Sequence, residues 1–269
     1  MTTAVGTAPA RRPSATVIAV GAAGVVAWVA TIIWALDMGM GPEPGTMGLW
    51  FPTFVAMWTL MMAAMMLPAV APLASMYART VRGQPARLVG FAAGYVLAWA
   101  STGVIAFAIA ALFDALSEDR PGVAHVVAVA SFAGCGVYQL TPMKQWCLRH
   151  CRSPLGHLLH YASYRGSTRD LRAGAHHGLV CVGCCWMLMI VLVAVGVMNV
   201  PVMVGLALLI ALEKQWRHGE QLARFAGVAA LVFSVAIAFD AGLAPGLNDD
   251  GTPMNMDMDM DEEMPMPMP

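Results

Sequence analysis

Charge is what this chain most lacks. Only 12% of its 269 residues are Asp, Glu, Lys or Arg, about half the share found in water-soluble domains. Fifteen basic residues against 16 acidic ones leave a net charge of −1 and no basic run. Without that electrostatic footprint a nucleic-acid partner is not supported. The nucleotide and hydrolase signatures are missing too: there is no Walker motif, no nucleophile elbow and no H-E-x-x-H. ATP-driven transport and ordinary hydrolase chemistry therefore lack their residues, and an enzymatic role is not the first expectation. No pair of histidines lies inside the apolar runs, which argues against a bis-His haem. Asp37, Asp114 and Asp240 map near outer helix ends, and Glu213–Lys214 reads as a helix terminus at the interface. A carboxylate relay for protons inside a membrane is thus absent from this reading.

Apolar length is abundant, with 59% hydrophobic residues. Seven runs suit helices that cross a hydrocarbon layer of about 30 Å. They are Thr16–Leu36, Trp50–Leu73, Leu88–Phe113, Val123–Met143, Gly178–Met198, Val202–Leu212 and Phe225–Leu243. The sixth is short and gains length if its helix continues through Glu213 to Trp216. The first follows Arg11 and Arg12 but is too long for a signal peptide and has no small-residue cleavage site, so it reads as a retained helix. The expected fold is all-α, a polytopic transmembrane bundle of about seven helices. Residues 1–15 form an N-terminal tail, 16–243 the helical domain with a Cys/His loop at 144–177, and 244–269 an acidic Met-rich tail.

Basic residues mark the cytoplasmic side of such a bundle. Arg11 and Arg12 precede the first span; Arg79, Arg82 and Arg87 follow the second; Lys144, Arg149, Arg152, Arg165, Arg169 and Arg172 follow the fourth; Lys214, Arg217 and Arg224 follow the sixth. The intervening connections are acidic or uncharged, so seven spans alternate without violation. The N-terminus is expected inside and the C-terminus outside.

Sulfur follows this polarity. Of 22 methionines, Met38, Met40, Met47, Met57, Met61 and Met62 lie outward, Met65 and Met66 near the midplane, and seven fill "MNMDMDMDEEMPMPMP" at the end. In "MWTLMMAAMMLP", Met57, Met61 and Met65 share a face, with Met62 and Met66 in an adjacent row before Pro68. Methionine also serves as an adaptable core side chain, so packing is the simpler reading of each row. The tail is too polar and Pro-rich to fold alone, yet its spaced thioethers can wrap a soft ion.

The six cysteines sit on the other side. Cys147 and Cys151 stand one helical turn apart in "QWCLRHC", and Cys181, Cys184 and Cys185 in "HHGLVCVGCCW" fall within an arc of about 100° on a helix. At 1.5 Å per residue the 184–185 pair lies about 10 Å below the inner interface, and Cys135 on the antiparallel fourth span reaches the same depth. His177, four residues before Cys181, is the histidine to test as a ligand. Thiols stay reduced inside and thioethers survive outside. Soft sulfur ligands select Cu(I), while a thiolate set also suits structural zinc. A C-x-x-C redox pair at Cys181–Cys184 is a further alternative, disfavoured by the absence of any thioredoxin-like strand pattern.

Three ordered motifs carry a family likeness. "MWTLMMAAMMLP" (57–68), "YQLTPMKQWCLRHCRSPLG" (138–156) and "HGLVCVGCCWMLM" with "GVMNVPVMVGLALLIALEK" (177–214) resemble a bacterial family of predicted metal-binding integral membrane proteins, domain of unknown function 2182, some of whose members are labelled copper chaperones. The likeness runs from about Trp50 to Arg217 and leaves out the first and last spans and the tail. It implies metal binding at Met57, Met61, Met65, Met66, Cys147, Cys151, Cys181, Cys184 and Cys185; Cys135 is added by depth alone. The expectation is a multi-pass bacterial inner-membrane protein that holds Cu(I), or alternatively zinc, and exchanges copper with an extracytoplasmic donor or acceptor protein. A membrane redox subunit and a zinc-stapled structural subunit are the alternatives.

Overall fold

A computed structural model describes residues 15–37, 45–81, 84–119 and 122–244. The N-terminal tail through residue 14, Met38, Met40 and the Met-rich tail from 245 onward lie outside the described residues. Nine α-helices follow in order among those described: α1 (Ala15–Asp37), α2 (Phe51–Thr80), α3 (Pro85–Asp119), α4 (Val123–Leu140), α5 (Pro142–Cys151), α6 (Pro154–Ala162), α7 (Arg169–Val195), α8 (Val200–Gln215) and α9 (Gly219–Phe239), then a 3₁₀ turn at Ala241–Leu243. No strand occurs among the described residues.

Local chemistry sets the boundaries. Pro142 and Pro154 open α5 and α6 at positions where a missing N–H costs nothing. Thr141 caps α5 by accepting from the Lys144 N–H at 3.2 Å, and Asn199 caps α8 through the Val202 N–H at 3.2 Å. Gly196, at φ 109°, ends α7 in a conformation that favours glycine.

All seven apolar runs fall on helices, but six helices among the described residues are long and apolar enough to span a membrane: α1, α2, α3, α4, α7 and α9. The 16 residues of α8 rise only about 24 Å, short of a full hydrocarbon layer. The segment 144–177 is not a loop. It holds most of α5, all of α6 and the first turns of α7, which begins at Arg169 rather than Gly178. An amphipathic helix at a bilayer surface explains α5, which exposes Met143 and Trp146 and buries Cys147 and Leu148. Val25, Val26 and Ile33 on α1, with Phe225 and Phe239 on α9, present an apolar exterior suited to lipid.

Two helices of the centre touch backbone to backbone. A Cβ added at Gly174 of α7 would stand 1.9 Å from the Phe91 carbonyl oxygen of α3, and one at Gly94 would stand 2.0 Å from the Leu171 carbonyl oxygen. Only glycine allows that approach, the small-residue packing expected where lipid offers no hydrophobic drive between helices. The α2 helix packs beside this pair, against α1, α3 and α8. Met57, Met61, Met62, Met65 and Met66 are each at most 1% exposed. Both methionine rows therefore belong to the core.

Candidate metal centre

The centre is built on α7. Cys181, Cys184 and Cys185 are each 1% exposed. The Cys184 and Cys185 thiols both donate to the Cys181 carbonyl oxygen, at 3.1 and 3.0 Å, which pins their protons onto the helix and leaves sulfur lone pairs outward. The Cys181 sulfur lies 2.8 Å from the Lys214 ammonium of α8 and 3.1 Å from the Tyr95 hydroxyl of α3. An ammonium so placed compensates the charge that a thiolate ligand carries.

From α5, Cys151 brings its thiol 3.7 Å from the Cys184 sulfur. Two thiolates on one tetrahedral ion with metal–sulfur bonds of about 2.3 Å lie about 3.8 Å apart, so this pair already has bridging separation. Cys147, on the preceding turn, sets its sulfur against Gly183, 3.2 Å from where a Cβ would stand. Burial pushes the Cys147 thiol up, and the bond donated to Cys184 together with burial pushes the Cys151 thiol well up. A metal taking these sulfurs therefore expels protons. Among the described residues no three His, Cys, Asp or Glu side chains already converge on one metal position. What is in place is a sulfur pair with further thiols a turn away.

A cavity of about 290 Å³ opens onto this group, lined by Cys151, Cys181, His177, Tyr95 and Lys214, with the Ala69–Leu73 stretch of α2 as one wall. That wall follows from two prolines four residues apart. Pro72 has no N–H for the Pro68 carbonyl, and Gln215 of α8 donates to that oxygen at 3.4 Å. His177, 4% exposed, stacks near Phe91 and Tyr95 at ring-centre distances of 6.4 and 6.0 Å, and its Nδ1 is enclosed with no partner.

The structure thus gathers Cys147, Cys151, Cys181, Cys184, Cys185 and His177 at one end of the bundle. It does not join Cys135 to the 184–185 pair by any sulfur contact among the described residues; that thiol, 2% exposed, lies within electrostatic reach of Lys144 and Glu213 instead. Met57, Met61, Met65 and Met66 belong to the same core but make no sulfur contact with the thiols among the described residues.

Four side chains outside the expected set matter. Tyr95 and Lys214 touch Cys181, while Lys144 donates to the Cys184 carbonyl oxygen and pairs with Glu213 at 2.7 Å. Glu213 is 1% exposed and also accepts from Gln139 at 3.0 Å. Glu213 and Lys214 do stand at the end of α8, as expected, but the reading of them as a simple interfacial pair is corrected: Glu213 is buried with Lys144 balancing its charge, and Lys214 turns its ammonium onto the Cys181 sulfur. The local signal was two adjacent opposite charges closing an apolar run; their partners lie far away in sequence.

A family model described as copper chaperone (PpoB2) matches residues 55–237. The chain belongs to this family. The copper chaperone match covers every sulfur and histidine just described and continues through most of α9, past the Arg217 limit suggested by the motifs. Family and helices together mark a copper-related protein with membrane-spanning character. No curated protein and no solved structure matches the chain.

Proposed function

We propose that this member of the copper chaperone family takes Cu(I) as cargo on Cys151 and Cys184, with Cys181, Cys185 and Cys147 as exchange ligands. The observation that carries this is the 3.7 Å sulfur pair formed between two helices beside Lys214 and Tyr95. Cu(I) is soft, closed-shell and satisfied by a pair of sulfurs, so it suits a centre with few fixed ligands and several waiting ones. Ligand exchange moves it without covalent chemistry. By the distribution of Lys and Arg this end of the bundle faces the cytoplasm of a bacterial inner membrane, where thiols stay reduced. The methionines of α2 lead away from it, toward an outer copper-donating or copper-accepting protein and the Met-rich tail.

Metal identity is the test. Full-length protein purified anaerobically in mild detergent and offered Cu(I) or zinc is expected to retain copper through gel filtration in preference to zinc. Tight zinc without copper would support a structural staple and remove the cargo reading, since the same sulfur separation fits tetrahedral zinc. Movement of copper is tested separately. In proteoliposomes, Met61→Leu/Met65→Leu, a nearly volume-conserving exchange, is expected to slow Cu(I) uptake by about tenfold, the scale on which ligand surroundings tune metal sites. Unchanged flux would confine α2 to packing.

A further inference from the structure

A second cavity, of about 540 Å³, lies beside the thiol cavity and is lined by His150, His157, His160 and His176. The two cavities share a wall. His150 and Cys151 are neighbours on α5, and the first faces the histidine cavity while the second faces the thiol cavity. His176 and His177 are neighbours on α7 and divide in the same way. Two helices thus each place one metal-binding side chain on either side of one partition.

Beside that partition stands His157 of α6, which lines the histidine cavity. His157 donates or accepts at both ring nitrogens: Nε2 meets the His150 carbonyl oxygen at 2.7 Å and Nδ1 meets the Tyr161 hydroxyl at 3.2 Å. A carbonyl can only accept, so Nε2 carries the proton and Nδ1 takes one from Tyr161. His157 is therefore fixed and spent as a ligand. On one side of it, His160 and His176 hold ring centres 5.2 Å apart; on the other, His177 stands 5.0 Å from His157. Two imidazoles on one tetrahedral ion, with metal–nitrogen bonds of about 2.0–2.1 Å, have ring centres roughly 5 Å apart. The enclosed and unpartnered Nδ1 of His177 is the kind of buried polar atom that a fold leaves open for a ligand or a functional purpose.

We propose that the histidine cavity is a second metal site, which takes one Cu(I) on His160 and His176 and passes it, around His157, to His177 and the thiols. This rests on the thiol cavity holding copper. Imidazole binds Cu(I) more weakly than thiolate, so affinity rises and free energy falls from the histidines toward the sulfurs. His160 is exposed and His176 half-buried, which leaves the first site open to an incoming complex.

The test uses the full-length protein in detergent, anaerobic Cu(I) supplied as a chelator complex, and X-ray absorption to separate nitrogen from sulfur ligation. Wild type is expected to bind two populations of copper, one nitrogen-ligated and one sulfur-ligated. In His160→Gln/His176→Gln the nitrogen-ligated copper should vanish, the sulfur-ligated copper should remain at equilibrium, and its loading should slow by about tenfold or more. Nitrogen-ligated copper persisting in that variant, or sulfur loading at the wild-type rate, overturns the proposal. Cys151→Ser/Cys184→Ser should lose the sulfur-ligated copper and keep the nitrogen-ligated copper. If sulfur-ligated copper survives there, it is the thiol reading that fails, and the nitrogen signal still decides this one. Glutamine keeps a polar side chain at the exposed His160 and at the half-buried His176, so the double variant is expected to elute and melt as the wild type does.

Discussion

Cys151→Ser/Cys184→Ser is expected to weaken Cu(I) binding by more than roughly a hundredfold, beyond the loss that outer-shell changes cause at metal sites. The reason is specific to this pair. Their sulfurs stand 3.7 Å apart on different helices, whereas Cys185 and Cys181 sit with Cys184 on α7 and cannot close around an ion from two sides alone. Serine keeps the shape and a hydrogen bond but offers a hard oxygen to a soft ion. The milder companion is Lys214→Met, which leaves every sulfur in place and removes the ammonium 2.8 Å from Cys181. Hydrogen bonds to charged groups are worth about 1.5–3 kcal/mol, so affinity should fall by roughly ten- to a hundredfold. Competition against a chromogenic Cu(I) chelator reads both variants. Wild-type affinity in the double serine variant would remove the sulfur pair from the site.

Lys144→Met is expected to cost about 3–5 kcal/mol of stability, the usual result of leaving one partner of a buried ion pair uncompensated. Lys144 and Glu213 are 0% and 1% exposed, 2.7 Å apart, and the same ammonium reaches the Cys184 carbonyl. Replacing both partners, as in Lys144→Met/Glu213→Met, should recover most of the loss, because apolar residues of similar volume need no desolvated charge. Denaturant titration in detergent reads the comparison. A single variant as stable as wild type would mean that the pair is solvated in practice. The double variant tests function as well: if it folds but holds copper poorly, the pair serves to aim α7 at α5.

Much of the helical plan was legible, because the length and apolar character of a span are local properties of a chain. Met57, Met61 and Met65 were readable as one face of a helix for the same reason, and so was the common arc of Cys181, Cys184 and Cys185. The centre was harder. Tyr95 precedes Cys181 by 86 residues and Lys144 precedes Glu213 by 69, and no periodicity links residues so far apart. Depth matching brought Cys135 toward the 184–185 pair but carries no information about rotation around α4, and the buried Cys135 thiol makes no sulfur contact with that pair among the described residues. Glu213–Lys214 was misread because a charge pair ending an apolar run has the same appearance whether it meets water or a buried partner. Within 144–177 the helical turn carrying Cys147 and Cys151 was legible, but α6 was hidden by its shortness: at 9 residues it is near the limit at which tertiary packing rather than propensity makes a helix.

The glycine contact between α3 and α7 has a mechanical meaning for the proposed copper centre. Backbones in direct touch at Gly94 and Gly174 leave no side chain to swing and little slack to take up, so the three thiols of α7 ride on a stiff girder. The arrival of an ion must then be felt by what leans on that girder: α5, which brings Cys151, and α8, which brings Lys214 and holds the Pro68 carbonyl of α2 through Gln215. An ion taken up between α5 and α7, as proposed, would thereby pull on α2 at its proline joint, where Pro72 leaves the Pro68 carbonyl without its helical N–H and Gln215 supplies a partner instead.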